Sequence, residues 1–336
     1  MTTRPLRPPL YRRVPLGFLL RRLVYGALAV LMIAVINFFL LQLAPGDAAE
    51  ALAGQAGTAD PEYLARLRAQ FGLDQPLWRQ FLAFLMRLLT LDLGFSYRLN
   101  ESVAVLIFAR LPATLLLMVT SVGVALVFGI VLGVTAARFA NRMPDRLISI
   151  FALLLYATPP FWIGLMMILV FSVWLGWTPT SGMENVLAFN TGWDRVVDIA
   201  HHLILPATAQ AGFYLAIYVR LVRAGMLETL SLDFIRVARA KGISETRIAY
   251  RHALRNAVLP LVTVVGTNIG GFLGGAVLTE TVFSWPGVGR LMFDAMFARD
   301  LNLLLSILVL SSVFVVLTNI VVDIVYVIIN PTVELK

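Results

Sequence analysis

A chain of 336 residues of which 59% are hydrophobic and 14% charged falls far below the roughly 25% charged residues of an average soluble domain, and this excludes a soluble globular protein. Its 27 Lys and Arg outnumber 19 Asp and Glu, and every basic residue except Lys241 and Lys336 is an arginine. The lack of cysteine excludes disulfides, thiolate metal sites and thiol nucleophiles, and three histidines, His201, His202 and His252, leave little for an imidazole metal centre.

Crossing a hydrocarbon core of about 30 Å takes roughly 20 residues of helix, so long uncharged runs are the useful signal. The first covers 23–43 after Arg21 and Arg22. It is longer than the roughly 7 to 15 residues of a signal-peptide core and has no small-x-small cleavage site after it, so it is expected to be a retained anchor. The segment 44–110 is too long for a simple connection. Asp60-Pro61-Glu62 and Gly72 predict the start and stop of a short helix. A second over 76–91, with Trp78, Phe81, Phe84 and Leu88 set apart from Arg79 and Arg87, suits an interfacial helix. Asn100 is expected to cap a third.

Further uncharged runs at 111–137, 147–174, 203–219, 256–279 and 301–322 predict five more spans. Pro159-Pro160 is expected to kink the third span. Glycines at four-residue spacing, Gly129 and Gly133 in the second span and Gly266, Gly270 and Gly274 in the fifth, offer small faces for close helix approach, either within this chain or against a second one. Between the last two spans, 280–300 contains the turn cluster 284–289 and a short helix expected over 290–299. His201 and His202 point in different directions at the mouth of the fourth span, which suits interfacial hydrogen bonding.

Arginine placement sets orientation. The segments 1–22, 138–146, 220–255 and the carboxyl tail hold 18 basic and 5 acidic residues, whereas 44–110, 175–202 and 281–300 hold 9 basic and 12 acidic. The positive-inside bias therefore predicts an all-α integral membrane protein with six transmembrane helices and both termini cytoplasmic. The expected organisation is a basic cytoplasmic tail (1–22), a first span (23–43), an external segment (44–110), a five-helix core (111–330) that includes a cytoplasmic loop at 220–256, and a short cytoplasmic tail (331–336). The basic residues are spread over membrane-adjacent loops, which argues against nucleic-acid binding.

The cytoplasmic loop carries the most information. Asp233 to Lys241 reads as a helix with Phe234, Val237 and Ala238 on one side and Arg236 and Arg239 on another. Gly242 is a natural stop and Ser244 a natural start for a second helix. On that helix Arg247, Arg251 and Arg255 repeat at i, i+4 and i+8, a like-charge stripe that calls for an anionic counterpart, either lipid headgroups or a soluble partner docked on the hairpin.

These residues resemble a family. Arg236-Val237-Ala238-Arg239-Ala240-Lys241-Gly242, followed by Arg251-His252-Ala253-Leu254-Arg255-Asn256-Ala257-Val258-Leu259-Pro260, is similar to the coupling loop of permease subunits of binding-protein-dependent ABC importers, in the dipeptide, oligopeptide and nickel branch. The resemblance extends to Leu43-Ala44-Pro45-Gly46-Asp47, Gly72 to Leu77, Asp92-Leu93-Gly94, Arg110 to Thr114, Glu280 to Gly287 and Asn330-Pro331. Arg236, Val237 and Arg255 stand where the broader family has Glu, Ala and Pro, as the peptide branch does. The resemblance implies a type I importer permease fold in the bacterial inner membrane. It implies a loop whose Arg236, Ala238, Arg239, Lys241, Gly242, Arg247, Arg251, His252 and Arg255 couple to an ATPase. It further implies a second homologous permease, two ATP-binding subunits and an external solute-binding protein as partners, in a membrane-lipid setting. The chain itself is expected to bind no cofactor, ATP and Mg being held by the ATPase partners: a P-loop needs Lys followed by Ser or Thr, and neither lysine qualifies.

Polar groups within spans are candidates for a translocation path: Thr263, Thr267 and Asn268 in the fifth span, and Ser311, Asn319 and Asp323 in the sixth. Interhelical links are the plainer role for the hydroxyls and amides, and placement near cytoplasmic headgroups the plainer role for Asp323. An ion-gradient-driven secondary transporter or channel is the competing class, but it wants several buried charges and Asp323 is nearly the whole supply. An intramembrane enzyme lacks a nucleophile motif.

Overall fold

The computed structural model describes residues 16–43, 47, 49–50, 53, 60–90, 92–96 and 98–329. Most of the basic tail, Ala44-Pro45-Gly46, Asn330-Pro331 and the tail 331–336 lie outside them. Among the described residues the chain is almost wholly helical. The first run forms α1 (Leu16–Gln42). Asp60 caps α2 (Pro61–Phe71) by accepting from the Glu62 amide at 3.1 Å, and Gly72 ends that helix at φ 68°, as the local signals predict. α3 (Leu77–Leu89) follows. The third external helix does not form. Instead Phe95–Ser96 (β1) and Glu101–Ser102 (β2) pair antiparallel, with Asn100 at φ 52° in the turn, a left-handed conformation that Asn tolerates. Ser102 then precedes α4 (Val103–Arg138), which starts before the uncharged run and carries Arg110 within it.

The expected third span is broken where a kink was predicted. α5 (Met143–Ala157) ends at Thr158, whose φ and ψ are −92° and 130°. Pro159 is also extended, at ψ 133°, and α6 (Pro160–Met167) restarts at a bend of 104° before passing into a π-helix (Ile168–Trp174). A residue before proline is pushed out of the α region; Thr158 and Pro159 both precede one, so two consecutive residues leave the helix. α7 (Gly192–Leu230) comes next, then α8 (Asp233–Ala240), α9 (Glu245–Arg247), a π turn (Ile248–Ala253) and α10 (Leu254–Ala257). The chain closes with α11 (Leu259–Val282), α12 (Val288–Phe297) and α13 (Leu301–Ile329). Among the described residues four helices are long and apolar enough to cross a membrane, and the bent pair makes five. α11, at the expected fifth span, has 24 residues.

The core centres on α4 against α7, with Leu117, Ala125, Tyr218, Val222 and Met226 all buried. Close approach depends on small residues: a Cβ on Gly129 or Gly133 would fall 2.7 Å from Tyr218 or Val222, and Gly266 of α11 is pressed against Val322 of α13. These glycines serve packing within this chain; the surroundings of Gly270 and Gly274 lie outside the described side chains. Large apolar groups face outward, Met32 and Val119 each 64% exposed. In a bilayer such an exterior is no penalty, and helix association rests on close packing and interhelical hydrogen bonds.

Those bonds define two ends. At one, Arg22 of α1 meets Asp323 of α13, Arg223 of α7 meets Asp145 of α5, and Arg138 of α4 meets Thr246 of α9. At the other, Ser306 Oγ of α13 donates to Leu93 O, Asn302 Nδ2 to Phe95 O, and the Gly182 amide to Phe283 O beyond α11. The α5–α6 pair runs from the first end to the second, since the loop after it carries Gly182 and also receives His201 Nε2 at Trp177 O (2.8 Å).

Candidate functional site

The 220–256 segment folds as helix, turn, helix. Gly242 sits at φ 73° with its amide donating to Arg239 O at 2.9 Å, and the Ile243 amide donates to Ala238 O at 3.2 Å. This closes α8 with a left-handed residue, which a side chain would strain. Across the turn Arg239 Nε and Nη2 donate to Glu245 at 2.8 and 3.3 Å, and these hydrogen bonds hold the Glu245 carboxyl below its ordinary range. Ser244 occupies the cap position of α9 but makes no side-chain cap bond.

The faces of α8 differ from the sequence reading. Ile235 and Ala238 are buried among Ile248, Ala249 and Ala253, whereas Phe234 and Val237 stand outward, 42% and 53% exposed. Both pairs are spaced i, i+3 and share a face; the second helix covers only the first. Arg236 is exposed and pairs locally with Asp233 at 3.2 Å, and Lys241 is exposed at the end of α8. Arg247, Arg251 and Arg255 are exposed and make no ion pair among the described residues, while His252 is half-buried. The stripe passes through the π turn (Ile248–Ala253), whose i→i+5 bonds loosen the α-helical register. The hairpin thus exposes two apolar side chains on its first helix and three arginines on its second.

A buried pair lies at the same end. Asp145 is 3% exposed and accepts from Arg223 Nε at 2.6 Å and Nη2 at 2.8 Å, and from the Asn141 amide at 2.7 Å. Arg223 belongs to α7 and leads directly towards the hairpin, so this bidentate contact locks α5 to the helix that carries it.

The polar groups within the spans do not converge. Thr263 and Thr267 are exposed on α11, and Thr267 Oγ1 donates to Val264 O at 2.9 Å. Asn268 Nδ2 donates to Tyr218 Oη at 3.4 Å, linking α11 to α7. Ser311 and Asn319 are half-buried on α13. Asp323 contacts Arg22 at 2.6 Å as an ion pair, without hydrogen-bond alignment at that oxygen.

One polar cluster went unread in the sequence. Glu280, at the start of the 280–300 stretch between the last two spans, lies inside α11 and is 0% exposed. It accepts from Thr114 Oγ1 of α4 at 2.7 Å and from the Arg290 amide of α12 at 2.9 Å. Trp285, also fully buried, donates from Nε1 to Ala113 O at 2.9 Å, and Gln210 of α7 accepts from Thr279 Oγ1. The available signal was a lone acid closing an uncharged run, five residues ahead of a Trp-Pro-Gly turn.

A bundle of long apolar helices with an inter-helical hairpin presented at one end is the architecture of a multi-pass helical membrane protein. The chain belongs to the binding-protein-dependent transport system inner membrane components: that family matches residues 129–335, and its N-terminal membrane component matches 15–118. It is therefore a multi-pass inner-membrane protein and an ABC-transporter permease. It is 39% identical over 323 residues to the oligopeptide transport system permease protein AppB of Bacillus subtilis, covering 95% of this chain and 99% of that one. It is 38% identical over 321 residues to the glutathione transport system permease protein GsiC of Escherichia coli, covering 96% and 100%. In fold it is similar to the MetNI methionine ABC transporter in an inward-facing conformation, at a TM-score of 0.54 and 17% identity over 67% of this chain and 96% of that one.

Proposed function

We propose that this chain is the permease subunit of an ATP-driven importer for peptides or a related small solute, delivered by an external solute-binding protein. It pairs with a second homologous permease and is driven by two ATP-binding subunits that hold the nucleotide and Mg; the chain itself catalyses nothing. The observation that carries the reading is the hairpin around Gly242, with Phe234, Val237 and the edge Arg247, Arg251 and Arg255 exposed together. A soluble partner with an apolar notch and acidic flank fits such a surface better than lipid alone, since headgroups ask for charge but not for a rigid apolar knob. The names of AppB and GsiC, at 38 to 39% identity over nearly the whole chain, support a peptide-class solute.

Six spans with both termini cytoplasmic is the topology we infer. It is supported by the Arg22–Asp323 and Arg223–Asp145 pairs and the hairpin contact of Arg138, which gather the arginine-rich segments at one end. The mechanism follows from rigidity: movement of the ATPases on nucleotide binding displaces the hairpin, and α7 and α11, which flank it, carry that displacement into the spans. The test is co-purification of the ATPase subunits with this chain, and solute uptake in reconstituted vesicles. Reversal of Arg247, Arg251 and Arg255 to Glu is expected to abolish both. Uptake that continues with no ATPase present would overturn the reading.

A further inference from the structure

At the end opposite the hairpin, a cavity of about 380 Å³ lies between α1, α3 and the start of α13. Four arginines line it, Arg79, Arg87, Arg98 and Arg299, against a single carboxylate, that of Asp300, and Phe38 forms part of its apolar wall. Asp300 is occupied locally, accepting from Ser96 Oγ and from the Leu303 amide. Among the described residues Arg87, Arg98 and Arg299 make no ion pair, and Arg79 is held by Gln75 Oε1 at 3.1 Å with its guanidinium over Trp78. Four like charges around one cavity repel one another unless an anion joins them.

The faces of α3 say what kind of anion. Phe81 and Phe84 pack on Phe38 and Phe39 of α1. Arg79, Ala83 and Arg87, spaced i, i+4 and i+8, turn to the cavity. A third stripe, Trp78, Leu82, Met86 and Leu89, is apolar and 50 to 79% exposed. A short helix with one uncovered apolar stripe lies in the membrane interface, and α1 beside it is an exposed apolar span. Both place the cavity at headgroup depth. We infer that it is a binding site for the phosphodiester of an anionic phospholipid. The arginines receive the phosphate, for which the planar guanidinium is suited, and the acyl chains join the lipid against the apolar stripe. The bound lipid would brace α3 against α1 and α13, on the side where an external partner approaches.

The test uses the full chain purified with its partner subunits in mild detergent, exchanged with vesicles of either phosphatidylglycerol or phosphatidylcholine of matched acyl chains, and read by native mass spectrometry. Selective retention of phosphatidylglycerol is expected. Arg87→Gln with Arg299→Gln should lower that selectivity by at least about tenfold, each basic residue near an anionic surface contributing about fivefold, whereas Arg87→Lys with Arg299→Lys should retain most of it. Ala83→Phe keeps every charge and fills the cavity, and it should lose the lipid as well, which guards against a Gln variant that misfolds. Equal retention of the two lipids, or unchanged selectivity in both the Gln and the Phe variants, overturns the inference. Displacement of phosphatidylglycerol by inorganic phosphate at a concentration equal to that of the lipid headgroup would also overturn it, by showing a site for soluble anions.

Discussion

Thr114 Oγ1 donates to Glu280 Oε1 at 2.7 Å and accepts from the Val288 amide at 2.8 Å, so a single hydroxyl joins α4, α11 and the amino end of α12. Glu280 completes the node by accepting from the Arg290 amide, at the amino end of α12, where free backbone amides seek an acceptor. Removing the hydroxyl leaves both a buried amide and a carboxylate oxygen without a partner, each worth about 1 to 3 kcal/mol. Thr114→Val is expected to lower the apparent melting temperature of the purified complex markedly, and Thr114→Ser hardly at all. Tryptophan fluorescence during heating reads the result directly, because Trp285 is part of the node; equal melting of the Val and wild-type proteins would show that the node carries no stability.

The Arg223–Asp145 contact makes a second prediction. Breaking a buried ion pair by removing one partner costs about 3 to 5 kcal/mol, a range that must be lowered here because the Arg223 side chain remains 29% exposed. Asp145→Asn and Arg223→Gln should each destabilise the complex, and the double variant should lose clearly less than the sum. Additive losses in the double-mutant cycle would mean that the two side chains do not interact energetically.

How much of this was legible in the sequence depends on range. Local chemistry was readable: Asp60 and Gly72 bound α2, and Gly242 ends α8, because caps and left-handed turns are set by residues within a few positions. The break at Pro159-Pro160 was half-readable, since one proline kinks a helix but two in succession exclude helical geometry from both preceding residues. Partners far apart in the chain were not readable. Glu280 lies 166 positions from Thr114 and Asp145 lies 78 from Arg223, and a lone acid in a membrane-adjacent segment looks the same whether it meets water or a buried donor. The grouping of Ala238 with Phe234 and Val237 failed for the same reason: Ile235 and Phe234 are both apolar, and only the position of the second helix decides which of them Ala238 joins in the core.

That exposed pair makes a third prediction. Phe234→Ala with Val237→Asp removes the apolar knob without touching the chain's own core. The variant should melt like the wild type but retain little ATPase subunit on purification, a loss of about tenfold or more, as expected for a central apolar anchor. Full retention of the ATPase would mean that the arginine edge alone holds the partner.

The Arg239–Glu245 pair gives a pH dependence. The Glu245 carboxyl is depressed below its ordinary 4.5 by the guanidinium, so its contribution is fully present above that value and fades as pH falls through the depressed one. Both groups are largely exposed, which keeps the pair within about 0.2 to 1 kcal/mol. Co-purification of the ATPase should therefore be indifferent to this pair between about pH 6 and 8, and Glu245→Gln should weaken it slightly at pH 7. A large loss for Glu245→Gln would instead mean that Glu245 touches the partner directly.

Gly242 separates backbone from contact effects most cleanly. A Cβ there meets nothing within 4 Å, so space is not limiting, but the residue sits at φ 73°, where an L side chain costs about 1 to 2 kcal/mol and Asn is penalised least. If the turn sets the angle between the two helices of the hairpin, ATP-dependent uptake should fall in the order Gly, Asn, Ala, Val at position 242. The apparent melting temperature should change little, because the turn is exposed and the core lies elsewhere. A Val variant with wild-type uptake would mean that the hairpin tolerates a relaxed turn, and that the coupling surface is held by the Arg239–Glu245 bridge and the buried faces of Ile235 and Ile248 without help from the left-handed residue.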